Sequence, residues 1–402
     1  MNEKDVKGTG TGSSQAHGRI EWPGACFWGG DALVRAIRAA GQRLRKPLVV
    51  TDAGVWAALG PFVEAALADV RGLQWQVYGG VVSNPSLAQV RDALRAGRES
   101  GSESLIAVGG GSVMDVAKVT LACMASGLEV EALQTLEGQA WLEAATTPDD
   151  PLFLAVPTTS GTGSESSSAA LIQGDGGRKR LFRSTRTRPA LVALQPELTL
   201  GLPFGPTAQG GFDAVLHALG AWVNTDPCPV GKAMALQALR LCMKALPAVL
   251  AAPASLQARA DMQMGAYMAG VAIGMNKVDA VHAMCTPLES RVHMAHAEVL
   301  GPVFSVVSRY TAETAARPYA EAARALGVAD TGDERRDALA LIGAVEELAA
   351  RARISLRFPD LRLLPEDAEL LAVQARQSAS MPLNPRVLAH EEIKSLYLQM
   401  AA

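Results

Sequence analysis

The chain lacks several features that would each place it in a familiar class of protein. Its net charge is only −3, so no strongly basic surface is expected to bind nucleic acid or an anionic membrane. The five cysteines are scattered, with no CxxC pair, which indicates reduced thiols in a cytoplasmic protein. No run of about twenty apolar residues is evident, so no membrane span is expected. The sequence therefore predicts neither nucleic acid nor a membrane as a partner.

The first residues also lack the apolar segment of a signal peptide. Residues 1–20 are polar and rich in Gly and Ser, which predicts a disordered tail. Over 402 residues the chain is 49% hydrophobic and 19% charged, enough for a sizeable core and two domains. We expect an α/β domain over residues 21–203 and an all-helical domain over residues 204–402.

Short apolar runs alternate with helical patterns in the first half of the chain, which is typical of βα units around a parallel sheet. The predicted strands lie within residues 46–54, 73–80, 104–111 and 151–165. After Pro203, long Ala-, Leu- and Met-rich segments with a helical period replace the strands. This change of pattern is the basis of the predicted domain boundary.

The third predicted strand runs directly into a glycine-rich turn and then a helix. Gly109, Gly110 and Gly111 precede Ser112 at this turn. Glycines let the backbone approach a ligand closely, and a helix N-terminus presents free N–H groups to a phosphate. The spacing is not GxGxxG, so the usual dinucleotide fingerprint is absent. Taken alone, the turn is also compatible with a tight connection that binds no ligand.

A second loop, PTTSGTGSE at residues 157–165, also follows an apolar strand. Its hydroxyls and N–H groups can surround a pyrophosphate, and two such loops suit a dinucleotide across the carboxyl ends of a sheet. Asp52, at the end of an early strand, is placed to accept a hydrogen bond from a ribose hydroxyl. Its charge would repel a 2′-phosphate, which favours NAD(H) over NADP(H). An ordinary surface Asp is the alternative.

Four of the six histidines fall in two short windows. His217 lies four residues after Asp213, so both side chains project from one face of a helix. His282, His293 and His296 lie together in a second segment. Asp213 and His217, joined by two histidines from that segment, would form a one-carboxylate, three-imidazole site for a divalent metal such as Fe²⁺ or Zn²⁺.

The segments GGGSVMDVAK (109–118) and PTTSGTGSE (157–165) resemble the two nucleotide-binding motifs of the iron-containing (group III) alcohol dehydrogenase family. The resemblance extends over roughly residues 25 to 400. It implies an α/β N-terminal nucleotide-binding domain, an all-α C-terminal metal-binding domain related in shape to dehydroquinate synthase, and a homodimer. Gln195 departs from the family pattern, which has Asp at this position.

The resemblance also implies roles for individual residues. The metal ligands would be Asp213, His217, His282 and His296, which reproduce both family spacings. Lys118 is a further candidate for the cofactor site, or else a solvated helix charge. The residues expected to face the cofactor are Asp52, Gly109, Gly110, Gly111, Ser112, Asp115, Thr158, Thr159, Thr162 and, less directly, Lys179.

Two departures affect the chemistry. The family often has a histidine near the nicotinamide where this chain has Thr286, so His293 is a candidate for the proton transfer, or else a surface-loop residue. The family commonly has a glycine after the last histidine ligand, whereas Ala297 and Glu298 follow here. The resulting HAE sequence is similar to maleylacetate reductases.

The substrate is suggested by the residues just before His282. The segment AIGMNKVDAVHAMCTPL resembles phosphonoacetaldehyde reductases, in which a lysine occupies the position of Lys277. A cation near the metal would pair with a phosphonate or carboxylate on an aldehyde. The alternative is that Lys277 and Asp279 form an ordinary exposed pair. Three arginines are further candidates for contact with the substrate anion: Arg183, Arg186 and Arg188. The alternative is that they lie on a solvent-exposed hairpin.

The resemblance therefore implies a metal-dependent, NAD(P)H-linked alcohol dehydrogenase or aldehyde reductase acting on a small aldehyde, with an anionic aldehyde such as phosphonoacetaldehyde as the candidate. Its catalytic residues would be His282, His293 and Lys277. Three alternatives remain: a maleylacetate reductase-like or other carboxylate-aldehyde reductase, a dehydroquinate synthase-like lyase or cyclase, and a catalytically inactive nucleotide-binding protein.

Overall fold

The computed structural model describes residues 22–144, 147, 149–174, 179–292, 294–358 and 360–401. The predicted tail over residues 1–20 and His293 lie outside the described residues.

Six parallel strands form the central sheet, in the order β1-β8-β5-β4-β2-β3. The inner strands are fully buried and rich in Val, Leu and Ala, as expected when helices cover both faces of a parallel sheet. The sheet strands are β1 (Ala25–Trp28), β2 (Pro47–Val50), β3 (Gln76–Tyr78), β4 (Ser104–Gly109), β5 (Phe153–Pro157) and β8 (Leu191–Leu194). A separate antiparallel hairpin consists of β6 (Ala169–Gln173) and β7 (Lys179–Arg183).

Helices connect these strands and then make up the rest of the chain. Those among the strands are α1 (Ala32–Ala40), α2 (Ala53–Ala68), α3 (Leu87–Glu99), α4 (Gly111–Ser126) and α5 (Leu136–Glu143). Those after the last strand are α6 (Phe204–Val223), α7 (Pro229–Ala251), α8 (Leu256–Asn276), α9 (Ala280–Val292), α10 (His296–Ala312), α11 (Arg317–Leu326), α12 (Glu334–Arg351), α13 (Pro365–Arg376) and α14 (His390–Met400). The predicted fold class, an α/β part followed by an all-α part, is confirmed.

The four predicted strands are present, but β1 and β8 were not predicted, and the sequence indicated the β6–β7 hairpin only as the alternative setting of the three arginines. β1 and β8 have four residues each, too short to show a pattern of their own. They pair with each other over Ala25–Trp28 and Leu191–Leu194, a contact between distant parts of the sequence. The proposed domain boundary after Pro203 falls between β8 and α6.

Among the described residues, one helix is long and apolar enough to span a membrane by length and composition alone. It is α7, with a mean hydropathy of 1.4. This helix packs between α6 and α8, and its buried residues lie on one face. Lys232, Arg240 and Lys244 lie outside that buried set, so α7 has the side-chain pattern of a core helix.

Candidate active site at the sheet edge and the helical bundle

The two predicted nucleotide-binding loops lie side by side. Gly109 at the end of β4 pairs with Pro157 at the end of β5, and the Thr158 N–H donates to the Gly109 carbonyl oxygen (3.0 Å). A Cβ atom on Gly111 would lie 2.9 Å from the Thr162 side chain. The glycine therefore lets one loop pack against the other, a role that the sequence did not predict.

The N-terminus of α4 opens beside these loops. Gly110 is the N-cap residue, and no side chain of the described part of the protein caps the helix there. The first N–H groups of an α-helix have no partner within the helix. Gly111, Ser112 and the following residue are thus suitably arranged to donate to a phosphate.

Asp52 lies at the carboxyl end of β2, next to β4 in the sheet. It is the N-cap of α2, and its Oδ1 accepts a hydrogen bond from the Val55 N–H (2.8 Å). Helix capping is therefore one function of this side chain. The predicted contact with a ribose remains a prediction.

Asp115 and Lys118 hold the segment between the second loop and the hairpin. The Asp115 carboxylate accepts from the Ser164 hydroxyl (2.8 Å) and the Leu171 N–H (3.0 Å). The fully buried Lys118 ammonium donates to Ser164 Oγ (2.7 Å) and to the Ala169 carbonyl oxygen (2.7 Å). Burial lowers the pKa of Lys118 to about 8, although Asp115 opposes this shift. The interpretation of Lys118 as a solvated charge is wrong.

Lys179, expected to face the cofactor, has a different partner. Its ammonium forms an ion pair with Glu289 Oε1 (2.6 Å) on α9. The other oxygen of Glu289 lies 3.1 Å from His296 Nδ1. Lys179 is therefore connected to the histidine cluster through Glu289, and its expected contact with the cofactor remains a prediction. Glu289 was missed, although it lies two helical turns after His282 and so on the same face of α9.

The four predicted metal ligands come together from three helices. Asp213 and His217 are one turn apart on α6, His282 is on α9, and His296 is the first residue of α10. All three imidazole Nε2 atoms face Asp213 Oδ1, at 3.5 Å for His217, 3.4 Å for His282 and 3.6 Å for His296. The rings of His217 and His282 are stacked, with centroids 4.7 Å apart.

Burial and mutual contact set the charge states in this cluster. Asp213 is 5% exposed, and burial alone would raise its pKa, but the surrounding histidines hold it well below its usual value. Burial lowers the pKa of His217 to about 4, an effect that Asp213 partly offsets. An ionised Asp213 beside a neutral His217 is the state that metal binding requires. Burial alone would lower the pKa of His296, but Cys285, Asp213 and Glu289 hold it well above its usual value, so metal binding would displace a proton from this ring.

These residues fit a divalent cation. Three Nε2 atoms point at one carboxylate oxygen from distances at or beyond the limit of good hydrogen bonds. The buried Nδ1 atoms of His217 and His282 have no hydrogen-bond partner among the described residues, so no hydrogen bond at Nδ1 orients these two rings. Three imidazoles and one carboxylate are a donor set that Fe²⁺ and Zn²⁺ both accept.

The residues before His282 are not an ordinary exposed pair. Asp279 is buried, and its Oδ1 accepts from the Val281 N–H (3.1 Å) at the start of α9. Lys277 has φ 61° and ψ −162°, a backbone conformation that only glycine adopts readily. The Asn224 side-chain amide holds it by donating to the carbonyl oxygens of Asn276 (2.8 Å) and Lys277 (3.3 Å).

The remaining candidates have protein partners. Arg186 forms an ion pair with Asp150 and lies over the Trp141 ring, 4.1 Å from its centroid. Arg188 donates to the Trp22 carbonyl oxygen (3.3 Å), and Arg183 is exposed on β7. The Thr286 hydroxyl donates to the carbonyl oxygen of His282 (3.2 Å). None of these contacts supports the suggested role of the arginines in binding a substrate anion.

Comparison with known proteins agrees with this architecture. Residues 23–196 match the family model described as iron-containing alcohol dehydrogenase, and residues 207–401 match the Fe-containing alcohol dehydrogenase family, C-terminal. The 1,3-propanediol dehydrogenase of Citrobacter freundii is 31% identical over 388 residues, covering 94% of this chain and 97% of that protein. The 4-hydroxybutyrate dehydrogenase of Cupriavidus necator is 35% identical over 299 residues, covering 72% of this chain and 77% of that protein. A crystal structure of a 1,3-propanediol oxidoreductase superposes with a TM-score of 0.85 at 27% identity, covering 95% of this chain and 100% of that one.

The fold and the family matches define an oxidoreductase with an α/β part and an all-helical part. The chain belongs to the iron-containing alcohol dehydrogenase family.

Proposed function

We propose that this enzyme is a metal-dependent reductase of small aldehydes that uses NAD(H) and prefers substrates carrying an anionic group. The observation that carries the proposal is the convergence of Asp213, His217, His282 and His296 on one point. We include a homodimer in the proposal, as expected for this family.

The metal-binding residues prepare the site for carbonyl reduction. Bound by these four side chains, Fe²⁺ or Zn²⁺ would act as a Lewis acid on the carbonyl oxygen. Asp213 contributes the negative charge, and the imidazoles contribute neutral nitrogen ligands, so a bound dication would keep a net positive charge. That charge would favour a developing alkoxide in the transition state.

The cofactor would lie across the carboxyl ends of β4 and β5. The N–H groups at Gly110, Gly111 and Ser112 would bind the pyrophosphate, with hydroxyl groups from Thr158, Thr159 and Thr162 around it. Asp52, at the adjacent strand end, would accept from the ribose and disfavour a 2′-phosphate. The reduced nicotinamide would supply the hydride. Thr286 has no ring nitrogen, so water would supply the proton, directly or through His293.

The anionic substrate is proposed from Lys277. The backbone conformation of Lys277 favours glycine and costs of order 1–3 kcal/mol, and backbone strain of this size is concentrated at functional sites. Among the described residues, no acidic group forms an ion pair with Lys277. A relative at 35% identity is named for 4-hydroxybutyrate, a substrate with a carboxylate. Phosphonoacetaldehyde would offer a phosphonate to the same cation.

A maleylacetate reductase-like enzyme is the nearest alternative. Its sequence support was Glu298 after the last histidine, but this side chain accepts from the Ala295 N–H (3.0 Å) and caps α10. Helix capping explains Glu298 without any catalytic role. A lyase or cyclase of the dehydroquinate synthase type would show no net NADH oxidation.

The test compares neutral, carboxylate-bearing and phosphonate-bearing aldehydes in NADH-dependent reduction by wild type and Lys277→Met. A charge-assisted contact contributes about 1.5–3 kcal/mol, so kcat/KM for the anionic aldehydes should fall about 10- to 100-fold. The values for neutral aldehydes should change little.

Lys46→Met is the matched control, because Lys46 also has positive φ (39°) but precedes β2 at the opposite end of the sheet. It should leave both substrate classes unchanged. Equal losses for neutral and anionic aldehydes in Lys277→Met would refute the anionic preference.

A further inference from the structure

Glu289 connects two charged groups from distant parts of the chain. It lies on α9, seven residues after His282, and its side chain is only 6% exposed. Its Oε1 accepts from the Lys179 ammonium (2.6 Å), and its Oε2 lies 3.1 Å from His296 Nδ1. Lys179 begins β7 in the hairpin, so this contact joins the α/β part to the helical part.

The contact at Nδ1 determines which nitrogen of His296 is free. A carboxylate can only accept, so His296 donates its Nδ1–H to Glu289. In the neutral ring that metal binding requires, the lone pair is then on Nε2, the atom that faces Asp213 Oδ1 at 3.6 Å. The same hydrogen bond restricts rotation of the ring.

His296 differs from the other two histidines of the cluster. Its side chain is 35% exposed, against 11% for His217 and 9% for His282. Packing therefore restrains the other two rings more strongly, and neither of their Nδ1 atoms has a partner among the described residues. The least buried ring is the one that a carboxylate anchors.

Lys179 makes the anchor possible. A buried carboxylate without a cation is costly, and removing one member of a buried pair leaves the other charge uncompensated. The ammonium at 2.6 Å compensates Glu289 and occupies its second oxygen, which directs Oε2 towards His296.

We infer that the Lys179–Glu289 pair is a positioning device for His296 that strengthens binding of the divalent metal. It reassigns Lys179 from the cofactor to the metal centre, and it rests on the proposed function because it requires a metal at these four ligands. Partners of this kind behind a ligand histidine typically change metal affinity 10- to 100-fold.

The test is a metal titration of the full-length protein after removal of bound metal. Zn²⁺ affinity is measured by competition with a chromophoric chelator, and the absorption spectrum of the Co²⁺-loaded protein reports ligand geometry. We expect Glu289→Gln to bind Zn²⁺ about 10- to 100-fold more weakly and to alter the Co²⁺ spectrum. Lys179→Met should weaken binding in the same direction by a smaller factor.

The chain contains a matched control. Glu369 also accepts from a histidine, His390 Nε2 (2.7 Å), and from a lysine, Lys394 Nζ (3.0 Å), but its side chain is 44% exposed. Glu369→Gln should leave the affinity and the spectrum unchanged. Thermal unfolding of each metal-free variant shows whether it is folded. If Glu289→Gln does not fold, the metal affinity and Co²⁺ spectrum of Lys179→Met test the positioning role.

Each outcome has a definite meaning. If wild type binds Zn²⁺ tightly and both Glu289→Gln and Lys179→Met match it in affinity and spectrum, the positioning role is wrong and the proposed function stands. If the metal-free variants are less stable but bind Zn²⁺ as tightly as wild type, the Lys179–Glu289 pair has only a structural role. If wild type itself binds no metal, the proposed function fails first.

Discussion

At the scale of single residues, Gln195 shows why a departure from the family pattern is tolerated. Its side chain is 2% exposed and forms two hydrogen bonds at the start of α1. Nε2 donates to the Gly30 carbonyl oxygen (2.7 Å), and Oε1 accepts from the Leu33 N–H (3.1 Å). An ionised Asp could accept only, so the amide suits this local backbone.

Gln195→Glu is therefore expected to destabilise the protein. A buried carboxylate oxygen would face the Gly30 carbonyl oxygen without a donor, at a cost of about 1–3 kcal/mol. Urea unfolding measures this change. The control Gln76→Glu, at an exposed strand position, should shift stability by about 0.5 kcal/mol or less. If the two variants are equally stable, the hydrogen bond that Gln195 donates to Gly30 is not needed for stability.

The four side chains that converge in the helical part are those that the sequence indicated. The i, i+4 spacing of Asp213 and His217 places both on one face of α6, and family spacing indicated His282 and His296. Sequence reasoning missed Glu289 because the partners of this side chain depend on tertiary packing. Lys179 is 110 positions away in the chain, and no local pattern relates the two.

At the scale of elements, the second loop is held between the sheet and two helices. A Cβ on Gly161 would lie 2.7 Å from Gly210 Cα on α6, three residues before Asp213. Gly163 has φ 63°, and a Cβ there would lie 2.4 Å from Gly270 Cα on α8. The loop proposed to bind the cofactor thus packs directly on the helix that carries two of the proposed metal ligands.

Gly270→Ala should disturb this packing. The added Cβ would lie 2.3 Å from Ser166 Oγ and 2.6 Å from the Gly163 backbone, so the loop must move. We expect a loss of about 1–3 kcal/mol, measured by thermal unfolding, and weaker NADH binding.

Gly274→Ala on the same helix is the control, since no neighbouring atom of the described residues lies within 4 Å of its added Cβ. Replacing this exposed helical glycine should be neutral or stabilise the protein by up to about 1 kcal/mol. If both variants change stability and NADH binding equally, the close contact between Gly270 and the loop is not needed for either property. The sequence indicated the loop from its hydroxyls and glycines, but not the helices that it contacts.

At the scale of the whole molecule, the junction between the two parts contains the proposed site. The second loop follows β5 at the sheet edge, and Gln263 on α8 donates to the Pro157 carbonyl oxygen (3.2 Å). The Lys179–Glu289 pair forms another connection. Alternating strands and helices predicted the first part, and helical periodicity predicted the second. How the two parts fit together depended on contacts that no single segment encodes.

The proposed function depends on a divalent metal that is bound by the Asp213, His217, His282 and His296 cluster and is required for aldehyde reduction. The most direct measurement is NADH oxidation with an aldehyde by wild-type protein before metal removal, after it, and after addition of Fe²⁺ or Zn²⁺. Elemental analysis would verify each state. The loss of a Lewis acid worth several kcal/mol should lower the rate at least about 100-fold, and one of the metals should restore it. Undiminished turnover by protein shown to contain no metal would contradict this claim.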